Sequence, residues 1–89
     1  MKTLIKVYSD PGHAWAAVKR QTLQDMGILS QVSPYSYQRG KTVYLEEDCD
    51  LSMYMHALKE RGIEYGFVEK HTDKRSPIRS YDQFNRMGY

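Results

Sequence analysis

Eighty-nine residues, 40% hydrophobic and 27% charged with a formal net charge of +2, describe one small globular domain rather than a disordered chain. So small a net charge gives no reason to expect a polyanionic partner, and a single cysteine, Cys49, excludes an internal disulfide framework. No apolar run is long enough for a signal peptide or a membrane span, so a cytoplasmic protein without a membrane partner is expected.

"TLIKVYS" alternates, with Ile5 and Val7 to one side and Lys6 and Tyr8 to the other, which predicts a half-buried strand. In "DPGH", Asp10 can cap a helix and Pro11 suits its first position, where a missing amide hydrogen costs nothing. Trp15, Val18, Thr22, Leu23 and Met26 then recur at helical spacing, and Gly27 supplies a helix end. "VSPYSYQ" predicts a strand with Tyr35 and Tyr37 on one face and Pro34 marking a sheet edge. "RGK" gives a tight turn, and "TVYLEE" a third strand with Val43 and Leu45 inward. Leu51, Tyr54, Met55 and Leu58 fall at i, i+3, i+4 and i+7, the stripe of an amphipathic helix that Gly62 ends. "IEYGFVEK" predicts the last strand, with Ile63, Tyr65 and Phe67 inward.

The resulting order, β-α-β-β-α-β with helices ending alike in "QDMGI" and "KERGI", predicts an α+β ferredoxin-like fold. Two helices would cover one face of a four-stranded antiparallel sheet. Residues 1–70 make this domain, and 71–89 form a basic C-terminal segment that Ile78, Tyr81 and Phe84 could dock onto it. Between 70 and 89, Lys70, Lys74, Arg75, Arg79 and Arg86 face only Asp73 and Asp82, so the chain's basic excess lies there.

Glu46, Glu47, Asp48 and Asp50 crowd around Cys49 just before the second helix. A helix N-terminus welcomes acids by about 0.3–1 kcal/mol each, and Asp48 or Asp50 could cap. Calcium-loop spacing fails, because the sharp-turn glycine is missing and Lys59 stands where the last ligand belongs. Cys49 is expected as a small buried side chain, and His13 as a turn histidine packed on Trp15. No catalytic, metal or cofactor residue is assigned on these grounds. The basic segment could also fold back onto the acidic turn as internal charge compensation.

The helix-free face of such a sheet would present Lys6, Tyr8, Thr42 and Tyr44. Tyrosines among bases on an open sheet suit stacked nucleobases, and suit a protein partner equally. "SDPGHAW", "SPYSYQRG", "VYLEEDCD" and "SPIRSYDQF" together resemble small accessory proteins encoded by bacteriophages and prophages. The resemblance implies a non-virion protein made in a bacterial host cell and carries no enzymatic activity with it. The expected function is therefore a non-enzymatic binding module that modulates a host or phage protein. Tyr8, Tyr35, Tyr37, Tyr44, Arg75 and Arg79 are its expected partner-binding residues. RNA or single-stranded nucleic-acid binding is the alternative, and an enzyme or metal protein centred on His13, Cys49 and the acidic turn is the third reading.

Overall fold

Residues 2–86 are described by a computed structural model of the chain; positions 87–89 of the expected C-terminal segment lie outside them. The first alternating segment forms strand β1, Thr3–Ser9, with Ile5 and Val7 buried as its pattern requires. The next segment departs from expectation. "DPGH" is the loop of a β-hairpin, closed by the Asp10 amide donating to the His13 carbonyl at 2.9 Å. Ala14–Lys19 is strand β2, antiparallel to β1 with Val7 opposite Ala16 and Tyr8 opposite Trp15.

The helical reading of residues 11–27 fails because β2 is covered on both faces: Trp15 and Val18, three apart, are buried on opposite sides of a strand, and pairing to β1 and β4 decides for it. β2 is central, bonded to β1 and to β4, Thr42–Glu46, and small alanines let it be covered on both faces. Only Arg20–Asp25 is helical, as the short α1. Gly27 ends it and Gly62 ends α2, Leu51–Glu60, at φ of 73° and 67° respectively, where any other residue would be strained.

"VSPYSYQ" contributes a strand only at Tyr37–Arg39, β3, so Tyr35 and Tyr37 do not share one strand face. Two further strands, β5 at Tyr65–His71 and β6 at Asp82–Gln83, complete a six-stranded sheet of order β5-β1-β2-β4-β3-β6. β5 runs parallel to β1, Ile5 beside Phe67, while the other pairings are antiparallel. The four-stranded antiparallel ferredoxin-like sheet is thus corrected to a mixed sheet of six. A strand stands where most of the first helix is predicted, and the C-terminal segment adds one more at the far edge.

Alternation gives the sheet two distinct faces. Ile5, Val7, Ala16, Val18, Val43 and Leu45 look toward α2, whose Leu51, Tyr54, Ala57 and Leu58 close the main core. Phe67, expected inward, lies at the edge and is 45% exposed. Tyr8, Trp15, Tyr37 and Tyr44 belong to the other face. That face is not open. After β5 the chain crosses over the sheet to reach β6 at the opposite edge, and this strap, residues 72–81, buries Ile78. Its start is held by the Thr72 amide donating to the Ser9 carbonyl, and its end by the Phe84 amide donating to the Ser36 carbonyl, each at 2.9 Å. Trp15, 2% exposed, is the largest side chain beneath it, and full burial of such a ring is worth about 2–3 kcal/mol.

No helix among the described residues is long and apolar enough to cross a membrane.

Candidate functional site

Two turns and the strap converge at one end of the sheet. The hairpin loop brings Asp10 and His13, the β4–α2 turn brings Glu46, Asp48 and Cys49, and the strap brings Arg79. Pairing sets this meeting: Trp15 on β2 stands opposite Glu46 on β4, so His13, two positions before Trp15, reaches the acidic turn.

Asp10 organises the corner. Its Oδ1 accepts from the amides of Gly12 and His13, each at 3.0 Å, which shapes the loop. Its Oδ2 accepts from the Ser76 amide at 2.9 Å and from Arg79 Nε at 2.6 Å, while Arg79 Nη2 donates to Oδ1 at 2.9 Å. The Arg79 guanidinium and these amides hold the Asp10 carboxyl well below the usual carboxylate range. The strap's arginine therefore compensates Asp10 rather than the acidic turn, which corrects the expected internal pairing with Glu46–Asp50.

The acidic turn is not a set of caps. Asp50 occupies the position before α2 but makes no side-chain bond to the helix. Its buried Oδ2 accepts instead from the Ser33 amide at 3.0 Å, the Ser33 hydroxyl at 2.8 Å and the Ser36 hydroxyl. Ser36 in turn accepts from the Glu46 amide at 3.0 Å. "SPYS" is thus a loop folded around a carboxylate, and the tyrosine between its serines is pushed outward. Asp48 is exposed, and its amide donates to Glu46 Oε2 at 3.0 Å. Glu46 is nearly enclosed, with its side chain 9% exposed, and its Oε1 lies 3.3 Å from His13 Nδ1.

Between these groups lies a recess of about 320 Å³, lined by His13, Trp15, Tyr35, Tyr37, Glu46, Asp48, Cys49 and Arg79. Its floor is aromatic. Trp15 meets the Tyr37 ring edge-on at 6.2 Å, carries the Arg79 guanidinium 5.3 Å above it, and has His13 at 6.1 Å. The Trp15 indole Nε1 is buried and has no hydrogen-bond partner among the described residues. Tyr35 stands at the rim, 70% exposed. Cys49 is exposed rather than buried as expected. Partial desolvation, a hydrogen bond with Glu46, and the charges of Glu46, Asp50 and Asp48 all push its thiol up, so it is a poor nucleophile at neutral pH.

The six residues expected to meet a partner divide between neighbouring places. Tyr35, Tyr37 and Arg79 surround the recess. Tyr8 and Tyr44 line an adjoining groove of about 290 Å³ under the strap, with Ile78 and Tyr81. There Tyr44 packs on Tyr81 at 5.1 Å and on Tyr8 at 6.4 Å, and burial with these phenols pushes the Tyr44 hydroxyl pKa up. Rings so engaged are not a free platform for stacked bases. Arg75 is exposed beside Asp10 and the hairpin loop.

The third reading places His13 and Cys49 with the acidic turn without saying which acids meet the histidine, and an apolar patch at the sheet edge is not expected from the sequence. His13, Glu46 and Asp48 come within 4.8 Å of one another through their ligand atoms, across turns separated by more than thirty positions. At the β1–β5 edge Leu4, 65% exposed, and Val68 share one face, while Phe67 is on the opposite face beside Ile5 and, being at the edge, is also exposed. Pairing "HAW" with "LEED" as neighbouring strand ends was the signal that could have found the first group.

No protein-family model, curated protein or solved structure matches the chain.

Proposed function

We propose that the protein is a non-enzymatic binding module that docks a protein partner at the recess beneath the strap, as a phage-encoded accessory protein acting on a host or phage protein would. The observation that supports this most is Tyr35. Its ring is held out at the rim by the Ser33–Ser36 loop, itself pinned to the buried Asp50, next to a floor of Trp15 and Tyr37. An exposed tyrosine on a pinned loop beside an aromatic hollow has the composition of a binding hot spot, large in contact area and cheap in conformational entropy. Arg75 adds positive charge beside the hairpin loop, and Glu46 and Asp48 add negative charge at the recess, while Arg79 is neutralised by Asp10; this suits a partner segment with both signs. The thiol at the site is held protonated, which speaks for recognition over nucleophilic chemistry.

The test is quantitative capture from bacterial lysate with wild-type and Tyr35→Ala baits. A protein enriched by the wild type and reduced tenfold or more with the variant supports the reading, since a hot-spot ring contributes about 2 kcal/mol or more. Equal capture by both baits, or recovery of nucleic acid alone, rejects it.

A further inference from the structure

We propose that His13, Glu46 and Asp48 form a binding site for a divalent first-row transition-metal ion, with zinc as the reference ion, at the mouth of the recess. This goes beyond the partner-binding reading and stands independently of it. The donor set comes from two turns that strand pairing fixes relative to each other, because Trp15 is opposite Glu46. His13 Nδ1 and Glu46 Oε1 are 3.3 Å apart. Two ligands bonded to one zinc at about 2.1 Å, at angles between octahedral and tetrahedral, stand about 3.0–3.4 Å from each other. This contact is a hydrogen bond in the structure, and its spacing also falls within the range for two ligands sharing an ion. Asp48 completes the set within 4.8 Å, against a maximum of about 4.2 Å across a single ion. The site requires the exposed Asp48 side chain to turn inward by a few tenths of an ångström.

Three further features point the same way. Glu46 is a nearly enclosed carboxylate, and among the described residues no lysine or arginine pairs with it or with Glu47, Asp48 or Asp50. His13, the Asp48 amide and the Cys49 thiol supply hydrogen bonds to it, but among the described residues no permanently charged side chain offsets it. The nearest guanidinium, Arg79, is bonded by two nitrogens to Asp10. The second oxygen of Glu46 is anchored by the Asp48 amide, the outer-shell support that fixes a ligating carboxylate. Finally, the unpartnered Trp15 indole N–H lies in the same wall; as a donor it is no ligand for a cation, but it can donate to a water or anion in the ion's open coordination position.

An imidazole nitrogen with two carboxylates selects zinc and its neighbours over magnesium and calcium, which prefer oxygen alone. Three protein donors leave at least one coordination position for water or for a donor atom of a bound molecule.

The experiment adds zinc chloride, cobalt chloride or magnesium chloride to metal-free full-length protein. Zinc should raise Tm by roughly 5 °C or more at saturation, and one equivalent of cobalt should give a visible ligand-field band. Magnesium should do neither. Both effects should disappear in His13→Ala and in Asp48→Asn, and persist in a His56→Ala, His71→Ala double variant, which removes the exposed His56–Glu60 and His71–Asp73 pairs. Absence of both effects, or effects that survive His13→Ala and Asp48→Asn, overturns the site. Should either variant not fold, cobalt shifts of imidazole proton resonances in the wild type decide. Perturbation centred on His13 supports the site, and perturbation confined to His56 and His71 overturns it.

Discussion

The Arg79 guanidinium grips the Asp10 carboxylate through two nitrogens, 69 positions apart in the chain, at 2.6 and 2.9 Å. That pair fastens the strap to the first hairpin and so encloses the Trp15 side of the sheet. Removing either partner strands the other, so Asp10→Ala and Arg79→Ala should each lower Tm by several degrees. The double variant should lose no more than the worse single one, which thermal melts of the four proteins would show. Arg79→Lys should restore little, since an ammonium cannot reproduce the forked contact.

The same carboxylate sets an acid limit. Its folded pKa is depressed, so its contribution is complete above the unfolded value of about 3.9 and is lost as pH falls toward the folded one. Tm should therefore fall with a distinct slope from about pH 4 downward. Asp10→Asn should start lower at pH 7 and show a shallower slope over the same range, readable by calorimetry from pH 7 to pH 2.

The Ser33–Ser36 loop offers a sharper distinction. Were Asp50 only a helix cap, Ser36 would be indifferent. Because the Ser36 hydroxyl donates to Asp50 and accepts from the Glu46 amide, Ser36→Ala strips the buried Glu46 amide of its acceptor and removes one of three donors to Asp50. Urea unfolding should show a loss of about 1–3 kcal/mol.

These residues also show how far the sequence could be read. α2 was legible because its stripe of Leu51, Tyr54 and Leu58 depends on local periodicity alone, and so was β4 with Val43 and Leu45. Residues 14–19 were not, since "AWAAVK" fits a helix by propensity and becomes a strand only because β1 and β4 lie on either side. Nor does alternation in "IEYGFVEK" say that β5 joins β1 in parallel at an edge, which leaves Phe67 and Val68 out. For the site, Tyr35, Tyr37 and Arg79 could be nominated from composition, and the structure brings them to one recess. The acidic turn was visible as a cluster, but its bonds are made by serines and a histidine from earlier loops. Tertiary partners decide such things, and no local rule names them.

Two glycines provide a matched comparison. A methyl at Gly12 would stand 2.8 Å from Arg79 Nη2, an atom locked on Asp10, whereas one at Gly66 would press only on the far end of the flexible Lys2 side chain and touch Leu4 at ordinary contact distance. Gly12→Ala should lower Tm clearly. Gly66→Ala should leave it unchanged or raise it slightly, a strand glycine costing about 0.5–1 kcal/mol relative to alanine. Equal effects at both positions would argue against a fixed Arg79.

Hydrogen–deuterium exchange of the protein with and without its captured partner tests most directly where binding occurs. New protection at residues 13–15, 35–37 and 46–49 is the expected result, with β5 unchanged. Protection confined to Tyr65–His71, the exposed edge carrying Phe67 and Val68, would contradict a partner site at the recess.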